Sequence, residues 1–448
     1  VTSSHVHASS GQSDPTISPA QKRLLAGAAV GQFVEWFDFL VYAAMAATLA
    51  TLFFPTENSS AALMGVFAIY GVGFIIRPLG GLIFGRYSDR IGRRTTLAIT
   101  ILLMGGATLA CGLLPTYETS GLLAPVLLMV LRLIQGFAAG GEASSVGPLV
   151  VENAPKESRA AWIGVAWAAT FLPSAVAGFM IVGLNLALGS DGFLAWGWRV
   201  PFILGGVMAA VGLFIRLRVE ESHAFAELED KGRVASSPVR EATTTHWRAI
   251  VLVCLVISVA AVGAYTVHSY MAAFLQQSVG MGAIPAMLST SISILLIVFT
   301  LPVFGAMADR WGRKPLLLTG TLYLAVAAFP AYLLAATGTF AGAVTAQLIL
   351  GLGIAIYGGG AYVTLFELFP TEVRSTGVGL SYNLGFAIFG GTMPFISQLL
   401  VAVTGSAISP AGYLTVVALA GVAVVRLLPE TKGHDLSTSI FDTKVTDK

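Results

Sequence analysis

The sequence predicts an all-α membrane protein of twelve transmembrane helices, arranged as two pseudo-symmetric six-helix bundles. Three observations predict it. The 448 residues are 56% hydrophobic and only 11% charged, with a mean hydropathy of +0.81, whereas soluble domains average roughly 25% charged residues. All but three of the 25 Lys and Arg residues lie in the two tails or in every second inter-segment loop, the bias that short cytoplasmic loops carry. The chain also repeats itself: Gly85, Asp89, Arg90, Gly92 and Arg93 recur as Gly305, Asp309, Arg310, Gly312 and Arg313 at an offset of 220 residues, and Glu152, Pro155, Glu157 and Arg159 recur as Glu367, Pro370, Glu372 and Arg374 at an offset of 215. Halves repeated in the same orientation share an interface near mid-membrane, where transporters of that build bind substrate.

Taken in order, apolar runs long enough to cross roughly 30 Å of hydrocarbon occur at 24–54, 61–86, 96–114, 122–150, 159–186 and 198–216, then at 248–278, 283–308, 315–336, 340–368, 374–403 and 408–428. Residues 1–23 read as a flexible cytoplasmic N-terminal tail, because they are polar and lack the apolar core of a signal peptide. Residues 24–216 form the first bundle, 217–247 a polar cytoplasmic linker, 248–428 the second bundle and 429–448 a cytoplasmic C-terminal tail. The loops near 55, 117, 190, 280, 338 and 406 contain no Lys or Arg, which predicts both termini on the cytoplasmic side of the membrane. Cys111 and Cys254 sit in separate apolar segments and read as small buried hydrophobes. Neither a phosphate-binding GxxxxGK[ST] loop nor an HExxH or GxSxG motif is present, so no enzyme, ATP drive or cofactor is expected.

Charges inside hydrocarbon are costly and mark function. Glu35 and Asp38 are three apart in segment one, about 16 Å in at 1.5 Å per residue, so they share a face and at least one is a candidate proton carrier. The alternative is a static salt bridge to a neighbouring arginine. Arg132, near mid-depth of segment four with Gln135 on the same face, is the first candidate anchor for a substrate carboxylate, since a guanidinium fork matches it in bidentate fashion. Arg77 either joins that site or neutralises Glu35 and Asp38. Arg199, at the outer edge, snorkels or caps a loop. Glu142 lies about 15 Å nearer the cytoplasm than Arg132 and suits a gate or proton relay. Gly136, Gly140 and Gly141 read as close helix packing. In segment seven Tyr265 and His268 share a face, with His268 either a core residue or a contact for proton or substrate. Tyr357, Tyr362 and Asn383 are further polar groups able to line a cavity from the second half.

The loop Gly85-Arg-Tyr-Ser-Asp89-Arg90-Ile-Gly92-Arg93-Arg94 and its echo at 305–314 resemble the signature of the major facilitator superfamily, and the likeness runs from about residue 24 to 432. More narrowly, Glu35-Trp-Phe-Asp38-Phe, Arg77-Pro-Leu-Gly, Arg132-Leu-Ile-Gln135-Gly, Gly140-Gly-Glu142 and Trp196-Gly-Trp-Arg199-Val-Pro201 resemble the metabolite:proton symporter family. That family takes up α-ketoglutarate, citrate, shikimate, aromatic acids, and proline or betaine. The resemblance implies that Asp89, Arg90 and Arg93, their copies Asp309, Arg310 and Arg313, and Glu152 and Glu367 form a cytoplasmic gate of salt bridges. The function to expect is proton-coupled import of a small carboxylate-bearing metabolite, such as a di- or tricarboxylate or a shikimate-type acid, through a bacterial cytoplasmic membrane. A zwitterionic osmolyte is the alternative, and a non-transporting receptor a more distant one. The expected partners are an organic anion, protons and the bilayer, with no nucleic acid, and the expected state is a monomer.

Overall fold

In hydrocarbon every backbone N–H and C=O must be satisfied within the protein, and runs rich in Leu, Ala, Val and Gly do so as helices. The computed structural model describes residues 19–91, 93–141, 146–218, 238–438 and 440–441. Eleven helices in it are long and apolar enough to cross a membrane, or twelve when the bent pair Leu25–Ala44 and Ala46–Phe53 is one span. We number the spans α1 (that pair, bent by 56° after Ala44), α2 (Ser59–Phe84), α3 (Thr95–Gly112), α4 (Leu123–Gly140), α5 (Arg159–Ala195), α6 (Gly197–Phe214), α7 (Trp247–Gln277), α8 (Ala283–Trp311), α9 (Arg313–Ala335), α10 (Phe340–Glu367), α11 (Arg374–Thr404) and α12 (Ser409–Leu427). Caps mark several ends. Asn58 accepts from Ala61 N at 3.1 Å before α2, Thr339 accepts from Gly342 N at 3.1 Å before α10, and Gly312, at φ +104°, turns α8 into α9 where a side chain would be strained.

The expected runs are all helical, and the differences lie in how they are interrupted. Within the described residues of the fourth run, one helix ends at Gly140 and another covers Val146–Asn153. The fifth extends past 186 to Ala195, with Gly189 out of helical geometry (φ 70°, ψ 167°). α7 and α11 each contain one π-helical stretch, Thr266–Tyr270 and Phe386–Gly390. The second bundle begins at Trp247, after a short helix Pro238–Thr245 within the expected linker.

Packing is set by small residues that let backbones touch. Along α2 and α4 a Cβ on Gly80 would stand 1.9 Å from Phe137 O, one on Gly136 1.9 Å from Gly73 O, and one on Gly140 2.0 Å from Arg77 O. The two halves meet along α5 and α8, where a Cβ on Gly305 would reach Ala160 O at 2.4 Å and one on Gly178 would reach Ser291 Oγ at 2.1 Å. They meet again along α2 and α11, where Gly71 faces Gly391 O.

The residues after α12 are docked on the end of the bundle that carries the basic loops. Glu430 accepts from Arg313 N (2.9 Å) and Lys314 N (3.0 Å), capping α9. Thr431 donates to Glu367 at 2.6 Å. Farther along, Leu436 O accepts from Arg374 Nη2 (2.7 Å) and His434 O from Arg159 Nη1 (3.0 Å). Buried guanidinium groups need acceptors, and this segment's carbonyls provide them.

Candidate transport site

Between the halves, on the side nearer the basic end, lies a cavity of about 30 Å³, room for about two water molecules. It is walled by Gln32, Glu35 and Trp36 of α1, Arg77 of α2, Gly147 and Pro148 beyond α4, Trp167 of α5, Phe366 of α10 and Tyr382 of α11. Arg77 follows a turn in α2 at Ile76 and precedes Pro78, whose missing N–H weakens the helix there. Its guanidinium lies 4.1 Å from the ring centres of both Phe39 and Phe74 and 5.5 Å from that of Trp36, while Trp36 Nε1 donates to Gln32 Oε1 at 3.0 Å. Aromatic faces hold a guanidinium without consuming its N–H donors, and Arg77 Nε has no hydrogen-bond partner. Arg77 is therefore the arginine that the structure brings to the cavity.

Arg132 and Gln135 are elsewhere. Both are buried inside the first bundle, where Arg132 Nη1 donates to Gln135 Oε1 at 2.7 Å and Gln135 Nε2 to Thr108 Oγ1 at 2.6 Å. Arg132 Cζ sits 3.7 Å over the Tyr42 ring. Asp38 joins this cluster with its carboxyl beside Thr108 and Gly205 of α6 against its Oδ1. Arg132 Nε, Arg132 Nη2 and Asp38 Oδ2 lack hydrogen-bond partners. Glu35 and Asp38 thus part company. Three residues on a helix leave about 60° between side chains, and with α1 at the seam between bundle and cavity that angle sends Glu35 to the cavity and Asp38 inward.

The π-helical stretch of α7 meets the first bundle. Ser174 of α5 donates to His268 O at 3.1 Å, the Tyr70 hydroxyl of α2 pairs with Ser269 Oγ at 3.3 Å, and Ser269 Oγ pairs with His268 Nδ1 at 3.0 Å. The Tyr265 and His268 rings are 4.6 Å apart, and Tyr265 packs on Phe386 of α11 at 5.7 Å. Both lie beyond the aromatic layer from the cavity and do not line it. The Tyr357 hydroxyl is spent on Val256 O at 2.8 Å within the second bundle. Tyr362 stacks on Trp167 at 5.6 Å. Asn383 is buried with Oδ1 unpaired, also outside the cavity wall.

At the basic end Arg374 pairs with Glu152 of the other half at 2.5 Å. Arg313 pairs with Glu367 (2.8 Å) and Asp309 (3.1 Å) inside the second bundle. Asp309 also crosses the interface, taking Ala160 N (3.0 Å) and Ala161 N (2.9 Å) at the start of α5, where the helix dipole favours a carboxylate. Arg310 is exposed, and its carbonyl accepts from Lys432 Nζ at 2.7 Å. Glu142 and the side chains of Asp89, Arg90 and Arg93 lie outside the described residues. At the opposite end Gln398 Nε2 donates to Ser60 Oγ at 3.2 Å, and Arg199 caps α5 and α3 through Ala195 O (3.2 Å) and Leu114 O (3.3 Å). The halves touch at both ends.

The family model described as Major Facilitator Superfamily matches residues 28–394. The chain belongs to that superfamily. Among curated superfamily relatives, the glycine betaine/proline/ectoine/pipecolic acid transporter OusA of Dickeya dadantii is 32% identical over 428 residues, covering 93% of this chain and 84% of the relative. The citrate-proton symporter of Salmonella typhi is 33% identical over 399 residues, covering 89% and 92%. Among solved superfamily structures, a D-xylose-proton symporter matches with a TM-score of 0.69 at 21% identity, covering 92% of this chain and 99% of that one. A partially occluded, inward-open xylose transporter XylE from E. coli matches at 0.70 and 20%, covering 94% and 100%. At those identities the structures attest the superfamily fold alone.

Sequence reasoning passed over Tyr42, Tyr70, Thr108, Trp167 and Tyr382. Two of these had a readable signal: Trp36, Phe39 and Tyr42 on α1, and Phe67, Tyr70, Phe74 and Arg77 on α2, are spaced by three or four, which puts each set on one helix face.

Proposed function

We propose that this protein is a proton-coupled symporter that imports a small carboxylate-bearing metabolite across a bacterial cytoplasmic membrane by alternating access, with the basic end cytoplasmic. The observation that carries the reading is the division of labour along α1, whose Glu35 faces the cavity beside Arg77 and whose Asp38 faces the buried Thr108, Gln135 and Arg132 cluster. The substrate carboxylate takes the N–H edge of Arg77, a charge-assisted contact. The proton rides on Asp38. Thr108 already donates its hydroxyl to Met104 O at 2.9 Å and accepts from Gln135, so it meets Asp38 with a lone pair, which a protonated carboxyl satisfies and an ionised one does not. Protons entering with an anion offset its climb against an inside-negative potential, about 2.3 kcal/mol per charge per 100 mV.

Within that class the cavity favours a zwitterion over a di- or tricarboxylate. Among the described residues one arginine, Arg77, reaches the wall, Glu35 stands beside it, and Trp36, Trp167 and Tyr382 present ring faces, the surroundings that stabilise a substituted ammonium. A second carboxylate would meet Glu35 instead of a cation. Competition decides: excess betaine or proline is expected to suppress uptake of a labelled zwitterion while citrate and α-ketoglutarate leave it unchanged, and the reverse order would restore the dicarboxylate reading. Arg77→Lys keeps the charge but loses the fork. It is expected to raise the KM for uptake by about tenfold to a hundredfold, as losing a charged hydrogen bond of ~1.5–3 kcal/mol requires; an unchanged KM in transport assays would remove Arg77 from the site.

A further inference from the structure

We propose that Tyr70 couples the two sites: it reports the protonation state of the Asp38 and Arg132 cluster to the π-helical stretch of α7, so that loading the proton sets whether the end remote from the basic loops is latched. This rests on the reading of Asp38 as the proton carrier. Tyr70 is 1% exposed and touches three things that transport must link. Its ring stacks on Tyr42 with centroids 5.8 Å apart and planes 9° from parallel, and Arg132 Cζ lies over both rings, at 3.7 Å from Tyr42 and 5.5 Å from Tyr70. Its edge meets Phe74 at 5.2 Å, the ring that carries Arg77 at 4.1 Å. Its hydroxyl pairs with Ser269 of the opposite half at 3.3 Å.

The Tyr42 hydroxyl is taken by Val66 O at 3.0 Å, which ties that ring to α2 and leaves the Tyr70 hydroxyl as the polar end of the stack. The charged and titratable groups around this path are Arg132 and Cys111 about Asp38; Tyr42 on Arg132; Arg132, Arg77 and Tyr265 about Tyr70; and His268, whose Nδ1 pairs with Ser269 Oγ at 3.0 Å. A guanidinium held over a ring responds to a nearby carboxylate, because charge pairing and cation–π attraction compete for it. When Asp38 ionises, Arg132 is drawn from the Tyr42 face toward the carboxylate, the stack relaxes, and the Tyr70 hydroxyl leaves Ser269. When Asp38 is protonated, Arg132 stays on the ring and the equilibrium shifts toward the latched state, which still opens to exchange substrate. Ser174, bonded to the carbonyl of His268, holds the same stretch from α5, so α7 is restrained from two helices and Tyr70 is the restraint tied to the proton.

Tyr70→Phe keeps the ring and removes the hydroxyl, and in proteoliposomes it separates coupling from structure. The expected result is substrate exchange at equal pH within about twofold of wild type, with accumulation under an inside-alkaline gradient falling to a ratio of about one. Ser269→Ala is expected to match it, and the double variant to be no worse than either, the non-additivity of one shared contact. A pair of spin labels on α2 and α7 at the remote end is expected to report a pH-dependent distance in wild type that Tyr70→Phe loses. If Tyr70→Phe accumulates substrate like wild type while Asp38→Asn does not, the role of Tyr70 is overturned and the proton assignment stands. If Tyr70→Phe is folded but loses exchange and accumulation equally, the residue is only structural and the proposal is again overturned. If Asp38→Asn itself accumulates normally, both fall.

Discussion

Asp38→Asn equilibrates its substrate and does not concentrate it. An inside-alkaline gradient of two pH units drives one-proton symport to an accumulation of about 100-fold, each tenfold being 1.4 kcal/mol; with no carboxyl beside Thr108 and Arg132 the expected ratio is about one. Counterflow exchange survives, because Arg77, Glu35 and the cavity wall are untouched. The amide fits the site sterically, and its NH₂ supplies the donor that the Thr108 lone pair accepts from a protonated carboxyl. The variant therefore mimics the loaded carrier, and a melting temperature equal to or above that of wild type is expected alongside the lost accumulation. Radiolabelled uptake with and without the gradient checks it, and gradient-driven accumulation at the wild-type level would assign the proton to another group.

Gly136→Val is expected to be the most damaging single change away from any charge. A Cβ there stands 1.9 Å from Gly73 O and 2.7 Å from Ile76 Cγ2, and both belong to the α2 stretch that delivers Arg77. Backbone cannot retreat as a long side chain can, so α2 and α4 must separate along the whole seam that Gly80 and Gly140 also form. Overpacking typically costs ~1–3 kcal/mol and more where backbone must move. The expected outcome is loss of folded protein from detergent extracts, seen as an aggregated profile on size-exclusion chromatography. Gly106→Val, at a glycine with nothing within 4 Å of its would-be Cβ, is the matched control and is expected to elute as a folded species.

The twelve helices and their repeat were legible because they rest on composition and period, which the bilayer enforces residue by residue. What lay hidden was azimuth. Arg132 and Arg77 are both arginines inside apolar runs, and depth alone made Arg132 the natural anchor; the structure turns its helix face, with Ala124, Leu128 and Gln135, into the first bundle, while the break at Ile76 and Pro78 presents Arg77 to the cavity. Which way a helix faces is decided by tertiary packing, here by the glycine contacts between α2 and α4. The π-helical stretches of α7 and α11 have no local signature either, since Thr266–Tyr270 and Phe386–Gly390 contain no proline. The segment after α12 looked like a tail because it is polar. It docks because Arg313, Arg374 and Arg159 place donors at the basic end that its carboxylate and carbonyls accept. Of the residues expected at a gate, Glu152 meets Arg374 across the interface, whereas Glu367 turns back to Arg313 in its own half.

The separation of substrate and proton onto two faces of α1 is tested most directly by recording external pH while substrate is added to de-energised proteoliposomes. Wild-type protein is expected to alkalinise the medium in step with substrate entry, and Arg77→Lys to do so in proportion to its reduced uptake. Asp38→Asn is expected to admit substrate with no pH change. Alkalinisation that persists in Asp38→Asn at the wild-type ratio of proton to substrate would contradict the assignment.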